Sequence, residues 1–235
     1  WMYSIHNDVH KDVEIVIVSM TPPAPEGEEA KRVLVVSGVA LTDSQEASEE
    51  ASKLFLTNPI LDKAIVSKFA KTSSLAEQRE DQIRANPEGW RYFVDNIWVD
   101  GDTEEIIQRI KPLFVDIPEP EGFTIWFSMG PVRQLPDMAL SMQSPAYVAA
   151  YLLSENENHD PRNRKWLNDA MVHAQPVTKG TYLGDSDFGN RQLKFMEDEN
   201  YARLQQIIAH RDPENLFVRY LAKDPSTLNK NHWEL

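Results

Sequence analysis

Residues 90–99, WRYFVDNIWV, are the stretch on which the fold turns. Ten residues dominated by aromatic and β-branched side chains read as a strand, set off by the Asn86-Pro87-Glu88-Gly89 turn. Asp102 or Thr103 then caps a helix whose apolar side carries Ile106, Ile107, Ile110 and Leu113. After the Pro118–Pro120 turn, residues 123–129 (FTIWFSM) read as a second strand. The unit is strand–helix–strand.

Working outward from it, residues 13–20 (VEIVIVSM) and 33–41 (VLVVSGVAL) are two more strands, separated by the Pro-rich turn 21–29. Asp43 or Ser44 caps a helix with Ala47, Ala51, Leu54 and Phe55 on one face, stopped by Asn58-Pro59. A strand is predicted around 64–69 and a polar helix within 71–85. Towards the C-terminus, 138–142 and 147–153 read as strands, and Asp160-Pro161 opens a helix through Trp166, Ala170 and His173. Turns this short leave little room for parallel crossovers. The pattern therefore predicts an α+β fold, a mostly antiparallel sheet with helices on one face, nearest to a ferredoxin-like layer. From Gln175 the character changes: 179–190 (KGTYLGDSDFGN) is a small, polar loop, and a helix follows over 198–211. The expected organisation is an α+β domain over 1–175 and a loop–helix segment over 176–235, its polar end loosely attached.

Composition narrows the function. Lys+Arg 24 against Asp+Glu 37 gives a net charge of −13, which disfavours a nucleic-acid partner. No apolar run approaches the roughly 20 residues of a membrane helix. With no cysteine, disulfides, thiolate nucleophiles and Cys-ligated metals are excluded. That absence, with the lack of an Asn-x-Ser/Thr sequon, leans towards a cytoplasmic location. The opening Trp1-Met2-Tyr3-Ser4-Ile5-His6 reads as a chain that begins mid-protein.

Candidate chemistry is sparse. There is no GxGxxG, P-loop or HExxH, and the six histidines show no metal-ligand spacing. The run Asp185-Ser186-Asp187-Phe188-Gly189-Asn190 fails as a calcium loop, since its fifth, sixth and twelfth positions are Gly189, Asn190 and Met196. No metal is expected. Asp185 and Asp187 suit either contact with a substrate hydroxyl or ring nitrogen, or a self-stabilising Asx turn. Alternation puts Tyr147 and Tyr151 on one strand face. Most of the aromatics belong to the core, but a sheet with helices on one side leaves an aromatic face for a flat cofactor or substrate.

Residues 199–217, ENYARLQQIIAHRDPENLF, resemble the C-terminal signature of berberine-bridge-type FAD oxidoreductases, of the vanillyl-alcohol oxidase and para-cresol methylhydroxylase superfamily. The elements that carry it are Asn200-Tyr201, Arg203-Leu204 and Asp212-Pro213-Glu214-Asn215-Leu216-Phe217. Tyr182-Leu183-Gly184 stands where that family has an active-site Tyr-x-Asn loop, with Gly184 in place of Asn. Residues 135–140 (LPDMAL) followed by 147–153 resemble a microbial and fungal branch of the group. The resemblance implies the substrate-side half of an FAD-dependent oxidase acting by hydride transfer to flavin. FAD would be held mainly by an N-terminal domain outside this chain, so the chain alone would be inactive. It implies Tyr182 as the proton-handling or substrate-orienting group, Asp185 and Asp187 as substrate anchors, and Tyr147 and Tyr151 as lining of the substrate face. Asn200 and Tyr201 would lie near the flavin domain. The expected partners are a small-molecule substrate and the FAD domain. The rival expectation is a stand-alone α+β domain that binds a ligand or partner without catalysis.

Overall fold

The computed structural model describes residues 1–130 and 135–217. Its strands are β1 (Val13–Met20), β2 (Val33–Ala40), β3 (Arg91–Val99), β4 (Phe123–Ser128), β5 (Ala146–Ser154) and β6 (Thr178–Gly180). Its helices are α1 (Gln45–Ser52), α2 (Leu75–Ala85), α3 (Thr103–Val115), α4 (Asp160–Ala174) and α5 (Asp198–Arg211). One sheet takes the strands in the order β2-β1-β4-β5-β3-β6, and neighbouring strands are antiparallel. Within it, β3–α3–β4–β5–α4–β6 is a ferredoxin-like run, its first and third strands adjacent at the centre. The β1–β2 pair widens the sheet beyond β4. β6 lies beyond position 175, so the 176–235 segment contributes a strand to the sheet of residues 1–175.

Alternation along the strands decides what each face carries. Ile97 and Val99 of β3, Trp126 of β4, and Ala146, Val148, Ala150 and Leu152 of β5 pack on one face against α3 and α4. Those helices contribute Ile106, Ile110 and Leu113, and Leu167, Ala170, Met171 and Ala174. Burial of each large aliphatic side chain there stabilises by about 1.5–3 kcal/mol. The in-between residues Trp98, Tyr147 and Ala149 form a smaller cluster with Met142 on the opposite face. That division leaves a face that no helix of the described residues' core cluster covers, the helix-free face.

The helix ends are tied into this layer. Asp102 caps α3 by accepting from the amides of Glu104 and Glu105 at 3.0 and 3.1 Å. At its other end, Ser19 Oγ and Thr124 Oγ1 donate to the Phe114 and Leu113 carbonyls, each at 2.5 Å. The start of α4 is held by the buried carboxylate of Glu119, which accepts from Arg162 at 2.5 Å and Asn163 at 2.6 Å.

Two expected strands do not form. Residues 64–69 are irregular, with Ile65 and Val66 exposed, because no neighbour offers a ladder. Residues 138–142 form no strand, and two of their groups are bonded elsewhere: the Met138 carbonyl accepts from Asn200, and Ser141 Oγ accepts from the Glu197 amide. In turn, the predicted loop at 179–190 contains the last two residues of β6. The expected loose attachment at the C-terminal end falls outside the described residues from position 218 onwards.

Candidate functional site

β5 presents Tyr147 and Tyr151 on the helix-free face. Tyr147 is buried, and its hydroxyl donates to Asp185 Oδ2 at 2.6 Å. Three rings surround it: Trp98 edge-on at 5.3 Å, Phe127 at 6.3 Å and Tyr182 edge-on at 6.2 Å. Tyr151 stacks on Phe123 with centroids 4.6 Å apart. Burial first, then the Asp185 carboxylate, pushes both the Tyr147 and Tyr151 hydroxyls well above the ordinary phenol range. Both therefore remain neutral donors at physiological pH. The Trp98 indole Nε1 is buried beside this cluster with no hydrogen-bond partner among the described residues.

Asn96 places the loop that brings Tyr182 and Asp185 to the tyrosines. It is fully buried on β3. Its Nδ2 donates to the Tyr182 carbonyl at 2.9 Å, while its Oδ1 accepts from the Tyr182 amide at 2.7 Å. The side chain so imitates one rung of a ladder beyond the end of β6. The same amide group bonds Thr181 Oγ1 at 2.9 Å and Ser186 Oγ at 3.1 Å. Gly184 is required by close approach: a Cβ there would lie 2.5 Å from Tyr182 Cε1, so Gly184 lets the ring fold back over the loop.

Asp187, expected beside Asp185, goes elsewhere. Its carboxylate faces Arg164 at 3.4 Å, and its carbonyl accepts from the amides of Asn190 and Arg191. Nearby, Arg191 reaches Asp95 Oδ2 at 2.6 Å and the Asn96 carbonyl at 2.9 Å, and this ion pair is almost fully buried. Burial raises the Asp95 carboxyl above the ordinary range, against the opposing pull of Arg191. Neither Asn96 nor the Asp95–Arg191 pair was singled out from sequence. The available signal was Asp95-Asn96, two polar residues inside the aromatic strand 90–99, where alternation alone would expose only one of them.

Asn200 and Tyr201 are engaged within the chain. The Asn200 amide donates to Asp137 Oδ1 at 2.9 Å and the Met138 carbonyl at 3.1 Å, and Arg203 pairs with Asp137. Tyr201 meets Phe195 edge-on at 6.0 Å. Among the described residues no group of three side chains is placed to hold a metal ion.

Comparison with known proteins gives this arrangement a context. FAD-linked oxidoreductase nodO of Hypoxylon pulicicidum is 26% identical over 215 residues, which is 91% of this chain and 47% of that protein. FAD-linked oxidoreductase penO of Penicillium crustosum is 24% identical over 91% of this chain and 46% of its own length. Among solved structures, berberine bridge enzyme from Eschscholzia californica superposes with a TM-score of 0.58 at 13% identity, over 92% of this chain and 49% of its own. 6-Hydroxy-D-nicotine oxidase from Arthrobacter nicotinovorans does so with a TM-score of 0.55 at 13% identity, over 90% and 48%. The chain is similar in sequence to FAD-linked oxidoreductases and in fold to part of berberine bridge enzyme. No family model matches it. It spans about half the length of the curated relatives it matches.

Within residues 199–217, several positions serve the fold of this chain. Asn200 and Arg203 bind residues 137–138, so the two segments that carried the resemblance touch each other. The Asp212 carboxylate accepts from the amides of Leu216 and Phe217 at 2.7 and 3.3 Å, closing the turn after α5 around Asn215, whose φ is 55°. The side chains of Leu216 and Phe217 remain exposed.

Proposed function

We propose that this chain is the substrate-side part of an FAD-dependent oxidoreductase that oxidises a small organic molecule by hydride transfer to flavin, the flavin-binding part lying outside these residues. The observation that carries it is the Tyr147–Asp185 hydrogen bond, set among aromatic rings on the helix-free face, in a chain that matches half of each FAD-linked relative. The residues present fit a flat aromatic cofactor on that side. Tyr182 is 40% exposed there, beside the partly buried Phe127, Tyr151 and Ile125. Bound flavin supplies the hydride-accepting chemistry.

This chain's own residues bind and orient substrate and take up its proton. Tyr147 and Tyr151, held neutral, act as donors rather than bases. Asp185, whose Oδ2 accepts from Tyr147, is the acceptor of the group and would take up the substrate proton. Tyr182 orients the substrate and passes its proton towards Asp185. The buried rings of Trp98 and Tyr147, with the partly buried Phe127, would exclude water from this side. Asp187 is left out of the roles, being turned to Arg164.

The test is a visible absorption spectrum of the protein purified from its source, beside a denaturing gel. Flavin bands that bleach with an oxidisable substrate, and bleach at least about tenfold more slowly in Asp185→Asn, are the expected outcome. A colourless, well-behaved protein that ignores added FAD would leave the rival reading, a binding domain without catalysis.

A further inference from the structure

The sheet has one protected end and one bare one. Beyond β6, the edge of β3 is occupied by the bonds of Asn96 to residues 181–186 and of Arg191 to the Asn96 carbonyl. At the other end β2 pairs with β1 along its whole length, and among the described residues no strand follows it. β2 lacks the devices that shield natural edges. Its eight residues, VLVVSGVA, contain no charge and no proline, and the side chains of both faces are exposed: Leu34, Val35, Val36 and Val39.

The charges just outside the strand choose the occupant. Lys31 precedes it and Asp43 follows it, both exposed. Arg32 is already committed to the carbonyls of Glu119 and Gly122. A strand basic at its start and acidic at its end is complementary to its own antiparallel copy. We propose that β2 pairs antiparallel with β2 of a second copy of this chain, about a two-fold axis at Ser37, joining two sheets into one.

Register follows from geometry. A two-fold axis perpendicular to the sheet keeps both helical layers on one side, so paired residues must share parity. Centred on Ser37, Val35 opposes the second copy's Val39, Leu34 its Ala40 and Val36 its Gly38, while Lys31 opposes its Asp43 on both sides of the axis. Centring on Val36 instead sets Glu29 against Asp43 and Lys31 against Leu41. A parallel alignment brings like charges together. Of these registers, the one at Ser37 sets Val35 against Val39, Leu34 against Ala40 and each flanking charge at the end that carries its opposite. This inference is independent of the oxidoreductase reading.

Sedimentation velocity of the 235-residue chain over a concentration series tests it. A monomer–dimer equilibrium is expected. Lys31→Glu turns two attractions into two repulsions and weakens the dimer about tenfold, as does Asp43→Lys, and the double exchange returns it to within about twofold. Ser37→Lys sets like charges face to face at the axis and abolishes the dimer. All three sites are exposed, so the circular dichroism spectrum and melting temperature of the monomer should not move. A chain monomeric throughout the series overturns the proposal. So does a dimer that ignores Ser37→Lys, or one that the double exchange fails to restore. Amide-exchange protection on Tyr151 and Phe127 instead of β2 would put the second copy on the helix-free face, which also overturns it.

Discussion

Tyr147 combines burial with a carboxylate partner, and the consequence is a pH dependence of defined sign. Its pKa in the folded chain lies above the unfolded value of about 10. The associated stability is therefore complete below about pH 10 and lost as pH rises towards the folded pKa. Denaturant midpoints measured from neutral to alkaline pH should fall above that point, and Tyr147→Phe should flatten the decline. At neutral pH the same substitution removes one charge-assisted hydrogen bond and should cost about 1–2 kcal/mol. Gly184 is a second residue with a sharp expectation. In Gly184→Ala the new Cβ collides with the Tyr182 ring, so the ring must swing out of its edge-on contact with Tyr147. Near-ultraviolet circular dichroism should report the lost aromatic contact with little change in the far-ultraviolet spectrum. At this scale the sequence named Tyr147, Tyr151, Tyr182 and Asp185, and the fold brings them together. It named Asp187 equally, because two carboxylates two positions apart look alike until one meets Arg164.

Between elements, the decisive contacts are the ones between β3 and the segment 181–191. Asn96 bonds both backbone groups of Tyr182, so Asn96→Leu takes the acceptor from the Tyr182 amide and leaves the Tyr182 carbonyl with Ser186 Oγ alone. A loss of about 2–4 kcal/mol is expected, with faster hydrogen exchange of the Tyr182 amide as the local signature. Arg191→Met removes the partner of a buried carboxylate and should cost about 3–5 kcal/mol at neutral pH. Since burial already raises the Asp95 pKa, the uncompensated charge is relieved by protonation. The deficit of Arg191→Met should shrink as pH falls towards 4, which paired denaturation curves at the two pH values can read. Elements themselves were readable where local signals agreed: α3, α5, β1, β3 and β5 fall close to where periodicity and caps put them. The failures at 64–69 and 138–142 share one cause. A strand is a pairing rather than a local conformation, and β-branched or apolar runs do not reveal whether a neighbour exists.

For the whole molecule, a net charge of −13 on 235 residues implies self-repulsion. Raising ionic strength from about 0.01 to 0.15 M shortens the screening length from roughly 30 to 8 Å and should raise the melting temperature. A scan showing no rise would mean that the acidic residues are already locally compensated. The larger architecture follows from one arithmetic fact about strands: alternation gives each a helix side and another side, and among the described residues α3 and α4 pack over the strand centre. The helix-free side gathers Tyr147, Tyr151, Tyr182 and Asp185 because β5 and the 181–186 loop both deliver to it.

By itself the sequence determined the class of fold, the location of its best-capped helices, the exclusion of cysteine chemistry, and the resemblance carried by residues 199–217. Each of these is local: a period, a cap, a composition or a short pattern. Only the tertiary structure decided the strand order, the position of β2 as the last strand of the sheet among the described residues, the fate of Asp187, and the role of Asn96 as a surrogate rung beneath Tyr182. The Asn96 contact joins residues 86 positions apart at hydrogen-bond distance, and Arg164 meets Asp187 across 23. Chain closure over such separations is set by the summed packing of the whole sheet, which no single stretch encodes.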